Sequence, residues 1–215
     1  AVLPLLESLV VGGLRPYNSG GQRQENCVQS PRHAPGACVG GQWHMDGNGR
    51  FTAMVAVCLQ APDRAGGRSG SMTVVRGSHT AFAAYLNEHH SGEVPVEHGA
   101  FMRVVRAFRR HHEFEADKAW GFEPLNLAPG EIALIHPHLA HNTQMVDAAC
   151  DQPRCMLYFR VVSAARAKGS VTHNTAVCRE PFCEFHLGGY SLPAVRCEVT
   201  GLLKRVMTGR CSAIF

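Results

Sequence analysis

Leu127-Ala-Pro-Gly-Glu-Ile-Ala-Leu-Ile-His-Pro-His-Leu-Ala-His141 is the stretch on which the fold turns. Pro129-Gly130-Glu131 is turn chemistry, and Ile132-Ala-Leu-Ile-His136 is an apolar run of strand length too short for a helix. The run ends in three closely spaced histidines. Working outward, Phe51-Thr-Ala-Met-Val-Ala-Val-Cys-Leu59 is a second continuous apolar strand, stopped by Ala61-Pro62-Asp63. The Arg64–Gly70 loop leads to a third strand, Ser71-Met-Thr-Val-Val75. Gly77-Ser78-His79-Thr80 is read as a turn that caps a helix over about 81–90. Downstream, Arg154-Cys-Met-Leu-Tyr-Phe-Arg-Val-Val162 is a further strong strand. Short strands at intervals, with helices at the margins, predict a mainly β fold with flanking helices, a β-sandwich or jelly roll.

The remaining segments fit around that core. Residues 1–11 read as a short amphipathic helix ended by Gly12-Gly13, with Glu7 interrupting any signal-peptide pattern. Residues 12–41 read as loop with brief extended pieces. Over 100–112, Phe101, Val104, Val105 and Phe108 recur at helical spacing while Arg103, Arg106, Arg109 and Arg110 take the other side. A last helix is expected near 193–207. The whole is expected to be one domain, 1–215, with its core at about 40–162 and an extension over 163–215.

Composition sets the bounds. The chain has 215 residues, 45% of them hydrophobic, which suffices for a buried core, and 18% charged, which excludes a disordered or coiled-coil chain. Its 22 glycines and 12 prolines favour turn-rich β structure. A net charge of +4 falls short of a dedicated nucleic-acid module, so nucleic acid is not indicated as a partner. The arginine face on 100–112 is read as solvated. No apolar run reaches the roughly 20 residues of a membrane span. With no targeting signal in view, the cytoplasm is the favoured compartment. The nine cysteines, an odd number without Cys-x-x-Cys, are read mainly as buried thiols with a few bridges open among the last five.

The chemistry lies in the histidines, 13 in all. In an extended segment His44 and Asp46 of Gln42-Trp43-His44-Met45-Asp46 point to one side, converging an imidazole and a carboxylate. His-x-Asp alone is a weak signal. Its weight grows beside the distant His136-Pro-His138-Leu-Ala-His141 cluster, with Arg154 opening the next strand. Two histidines and one carboxylate leave half of an octahedral iron(II) open to a bidentate co-substrate and O2. An arginine on a neighbouring strand clamps the far carboxylate of a keto acid in a two-pronged contact.

On these segments the sequence resembles the phytanoyl-CoA dioxygenase (PhyH-like) branch of the iron(II)/2-oxoglutarate-dependent oxygenases. The likeness runs in order over about residues 40–162. Gln42–Gly47 resembles that family's His-x-Asp segment. Gly70-Ser-Met-Thr-Val-Val-Arg-Gly-Ser-His79 resembles its strand and Pro-Gly-Ser-His turn, with Arg76 in place of the proline. Leu127–His141 resembles its Pro-Gly-Asp strand leading to the distal histidine.

The resemblance implies a double-stranded β-helix (jelly-roll, cupin-like) core and a hydroxylase that yields succinate and CO2. It implies His44, Asp46 and His141 as iron ligands and Arg154 as the clamp on 2-oxoglutarate, with Thr143 donating a hydroxyl to the same carboxylate. The loop through Asp147–Gln152 is longer than the family's, making Arg160, on the same strand face, the reserve. Fe(II), 2-oxoglutarate and O2 are implied as cofactor and co-substrates, with ascorbate as an accessory reductant and a small-molecule or acyl substrate. Gln42, Met156 and Tyr158 share the ligand side and are open to pocket or packing roles. His79, His136 and His138 are read as structural or supporting residues, and Trp43 as core. Two rivals stand beside this reading: a cupin-like metalloenzyme that does not use 2-oxoglutarate, and a non-catalytic jelly-roll binding protein.

Overall fold

Strand β5 (Ala53–Gln60) shows why the central strands read as unbroken apolar runs. Its Met54, Ala56 and Cys58 side chains enter one buried cluster, and Ala53, Val55 and Val57 enter another on the opposite face. A strand covered on both faces needs no polar alternation. The structure, a computed structural model, describes residues 10, 12–16, 18–19, 22–23, 25–29, 43–46, 51–61, 70–112, 121–143, 154–166, 171–181, 183–185 and 211–214.

Two principal sheets enclose the core. In the larger, β10 (Cys155–Ser163) lies antiparallel to β5, which in turn pairs antiparallel with β8 (Ile132–Ile135). β1 (Leu14–Pro16) and β4 (Glu25–Gln29) share the other edge of β10, and β11 (Cys211–Ile214) runs parallel to β8. Between β1 and β4, β2 (Asn18–Ser19) and β3 (Gln22–Arg23) form a separate short ladder. The smaller sheet is antiparallel, in the order β7 (Phe122–Pro124), β6 (Met72–Val75), β9 (His141–Thr143). Cys58 and Met156 from the large sheet pack with Val74 of the small one, and Leu125, Leu127 and Leu139 complete the same cluster. β-rich architecture with marginal helices is therefore what the chain adopts.

Helix α1 (Ser78–His89) and α2 (His98–His111) cover the outer side of the small sheet, where Phe82, Leu86, Phe101, Val105 and Phe108 bury against Val75, Met45 and Ala140. α2 starts two residues before the expected 100–112, at the Glu97 cap, whose carboxylate accepts from the amides of Gly99 and Ala100. Its outward arginines, Arg103, Arg106 and Arg110, are exposed. α1 begins earlier than the sequence suggests. Gly77 takes a left-handed conformation (φ 79°) and makes the turn alone, so Ser78, His79 and Thr80 are already helical. α3 (Val171–Arg179), which the sequence did not announce, packs on α1 in the region expected to be loop. The helices expected over 1–11 and 193–207 lie outside the described residues, apart from Val10, which bridges to Phe185.

A buried polar network fastens the segment after α3 to the large sheet. Glu184 pairs with Arg166 and accepts from Thr52 Oγ1 at 2.6 Å, and His173 lies 3.1 Å away. Thr52 in turn accepts from the Ser163 amide at 2.8 Å. Cys58, Cys155, Cys178 and Cys183 are free thiols. Among the described residues no helix is long and apolar enough to cross a membrane.

Candidate metal centre

The site is assembled by the backbone before any side chain acts. His44 and His141 form a hydrogen-bonded antiparallel bridge, each amide donating to the other's carbonyl at 3.0 Å. Cross-strand partners share a face, so both imidazoles project to the same side, with ring centroids 4.3 Å apart. His141 is opposite Val74 on its other flank, which keeps that side within the small sheet. Between His44 and Asp46, the side chain of Met45 turns the other way into the cluster under α1 and α2. This alternation leaves Asp46 on the imidazole side. Asp46 Oδ1 lies 3.5 Å from His44 Nε2 and 4.0 Å from His141 Nε2. One ligand atom from each of His44, Asp46 and His141 can be chosen so that all lie within 4.8 Å of one another.

Hydrogen bonding prepares His141 to ligate. Its Nδ1 is 2.8 Å from the Leu139 carbonyl, which only an N–H can satisfy, so the neutral ring carries its proton there and turns a lone pair outward on Nε2. Burial holds the His141 imidazole below its ordinary pKa, outweighing the upward pull of the Asp46 carboxylate; His44 and Arg160 also push it down. The ring is thus neutral, as a ligand must be. Metal–nitrogen bonds of about 2.1 Å put adjacent ligand atoms about 3 Å apart. The observed 3.5 and 4.0 Å separations need only a small contraction. Two imidazoles and one carboxylate are a donor set for a divalent transition metal, and these residues fit one.

His136 and His138 are brought close in sequence but not to this site. His136 Nε2 is 2.8 Å from the Pro181 carbonyl and its Nδ1 accepts from the His138 amide, so both nitrogens are used. His138 is enclosed by Phe82 and Phe101, with Nε2 3.7 Å from the Cys178 thiol. Burial pushes His136 down to about 4 and His138 well below its ordinary value. Burial likewise pushes the Cys178 thiol up to about 12, so this contact joins a thiol to a neutral imidazole. His79 is buried beside His136, with ring centroids 5.2 Å apart, and Ser78 accepts from the Ala140 amide. Trp43 packs at the edge of the helix-covered cluster and against Phe122.

Arg154, just before β10, and Met156, Tyr158 and Arg160 on β10 face the interior. Arg154 is only 1% exposed; its guanidinium donates to the Leu127 carbonyl at 2.9 Å and lies 3.6 Å from the Cys58 sulfur. Tyr158 packs against the buried cluster on this face. Burial pushes its phenol up to about 12, with Arg154 pulling down and Asp46 pushing further up. Arg160 donates to Asp46 Oδ2 at 3.2 Å, a contact that sequence reading missed. The alternation along β10 placed it on the right face but gave no partner. Thr143 ends β9 opposite Met72, with its side chain outside the described residues, as are Gln42 and the loop Asp147–Gln152.

No family model matches the sequence, and no curated protein does. Among solved structures the chain is similar to a non-heme monooxygenase, the ThoJ–Ni complex, at 19% identity and a TM-score of 0.44. The match covers 75% of this chain and 49% of the other, so the chain spans about half the length of that protein.

Proposed function

We propose that this protein is an iron(II)- and 2-oxoglutarate-dependent dioxygenase on a double-stranded β-helix core, of the phytanoyl-CoA dioxygenase-like kind. It hydroxylates a C–H bond of an organic substrate, with succinate and CO2 as co-products. The observation that carries this reading is the His44–His141 backbone bridge, which gathers both Nε2 atoms around Asp46 Oδ1.

When bound, iron with 2-oxoglutarate and O2 supplies the oxidising chemistry. The chain supplies the rest. His44, Asp46 and His141 would hold the metal. The Leu139 carbonyl keeps the His141 proton on Nδ1. Arg154 is a buried cation on the interior face, and a buried guanidinium is stabilised by a carboxylate that reaches it. That makes it the residue to bind and orient the far carboxylate of 2-oxoglutarate. Met156, Cys58 and Leu127 wall the same interior with apolar surface and exclude water.

The test is an anaerobic titration of the purified protein with iron(II) and 2-oxoglutarate, reading the weak visible charge-transfer band of that chelate. The band is expected in the wild type, absent in His44→Ala and weakened in Arg154→Ala. Iron binding without a band would transfer the site to a metalloenzyme that does not use 2-oxoglutarate. No iron binding would overturn the metal reading altogether.

A further inference from the structure

Asp46 has two carboxylate oxygens, and they face different partners. Oδ1 is turned to the two imidazoles; Oδ2 accepts from Arg160 Nη2 at 3.2 Å. The pair is largely withdrawn from solvent, its side chains 20% and 16% exposed. The Arg160 guanidinium is held in turn: it lies over the ring of Phe51, 5.4 Å from the centroid, and Phe51 is itself buried. Its backbone is in the centre of the large sheet, opposite Met54 of β5. Such a donor, backed by an aromatic face and anchored on a rigid strand, fixes the plane of the carboxylate it touches.

We propose that Arg160 is the positioning residue of the metal centre: it occupies Asp46 Oδ2 and so makes Asp46 a ligand through Oδ1 alone. The inference rests on the metal reading above but not on 2-oxoglutarate. Its consequence is a count of open positions. A carboxylate free to chelate through both oxygens takes one more place on the metal, the place a bidentate co-substrate needs. Arg160 also has a cost, since a cation beside the carboxylate weakens its attraction for a metal ion. Positioning and charge thus push metal affinity in opposite directions, and substitutions separate them. Arg160→Gln keeps an N–H donor and removes the charge. Arg160→Leu removes both. Arg160→Lys keeps charge on a flexible stem without the planar fork.

The experiment uses cobalt(II) as the probe, added to the full chain without oxygen, reading both the dissociation constant and the visible d–d spectrum. A circular-dichroism melt of each variant checks that it is folded. If Arg160 positions Asp46, Arg160→Leu changes the cobalt spectrum and weakens binding about tenfold, the usual scale for losing a partner of a metal ligand. Arg160→Gln restores the wild-type spectrum. If Arg160→Leu is folded and binds cobalt with the wild-type spectrum and affinity, the inference fails while the metal site stands. If Leu and Gln variants both bind more tightly and Lys matches wild type, the residue acts only through its charge, and positioning is again refuted. If the wild type binds no cobalt, the proposed metal site falls, and this inference with it.

Discussion

Three histidines within six positions, His136, His138 and His141, pose the sharpest question at the scale of single residues. All three are buried, so neither burial nor apolar context separates them. What separates them is where each nitrogen is spent. His136 is a cross-link: it satisfies the Pro181 carbonyl and the His138 amide together. His138 makes one weak contact with a thiol, and its Nδ1 is buried with no hydrogen-bond partner. Replacement by an apolar residue should therefore act in opposite ways at the two positions. His136→Leu strands the buried His138 amide and the half-buried Pro181 carbonyl and is expected to cost about 3 kcal/mol. His138→Leu removes an unsatisfied atom from an aromatic cage and should change stability by less than about 1.5 kcal/mol. Urea denaturation of both variants checks the contrast, and equal losses would contradict it. Neither substitution should abolish metal binding. The sequence made the cluster visible, but the choice of His141 came from family likeness, because Leu139's carbonyl and the His44 bridge are contacts that no spacing encodes.

Among elements, strands were the more legible. β5 and β8 are apolar on both faces and bounded by Pro or Gly, and β10 is an apolar run broken only by Arg160, so their existence follows from the chain alone. α2 was equally plain, because its Phe and Arg positions alternate at helical period. α3 was not. Its sequence, Val-Thr-His-Asn-Thr-Ala-Val-Cys-Arg, is rich in residues of modest helix propensity. Tertiary contacts hold it instead: Asn174 donates to the Val94 carbonyl, Thr175 accepts from the Val94 amide, and Val177 and Cys178 are buried. The start of α1 carries a consequence for the site. Ser78 Oγ accepts from the Ala140 amide at 2.8 Å, tying the helix to the residue before His141. Ser78→Ala leaves that buried amide unpaired and should cost about 1–3 kcal/mol. It should also loosen metal binding, since the His44–His141 bridge begins at the next residue. Isothermal titration with cobalt(II) reads the second effect; a destabilised variant with unchanged affinity would show that the tie serves the fold alone.

The whole molecule joins its layers through buried groups that resist protonation, and this sets how stability depends on pH. His136 titrates at about 4 when folded against 6.5 ordinarily, because burial disfavours the imidazolium. His138 and His141 are shifted the same way, also by burial first. Between pH 6.5 and about 4 the unfolded chain takes up a proton at His136 that the folded chain refuses, so stability rises with pH across that window and is complete above it; His138 and His141 act in the same direction. The gap at His136, 6.5 − 4 = 2.5, corresponds to about 3 kcal/mol. Glu184 acts lower on the scale. Burial raises its pKa, but hydrogen bonding and charge from Arg166, with Thr52 and His173 assisting, outweigh that and hold it below 4.5. Its contribution is present above 4.5 and is lost as pH falls through the folded value. The network it anchors joins β5, β10 and the segment after α3, so its protonation should release all of them together. Urea midpoints measured at intervals from pH 8 to 4, with constant m, are expected to be level above about pH 7 and to fall steadily below it. Divalent metal should raise the midpoint at pH 7, because it binds the folded chain and not the unfolded one. A midpoint unchanged from pH 7 to 5 would mean that these histidines are not held neutral by the fold.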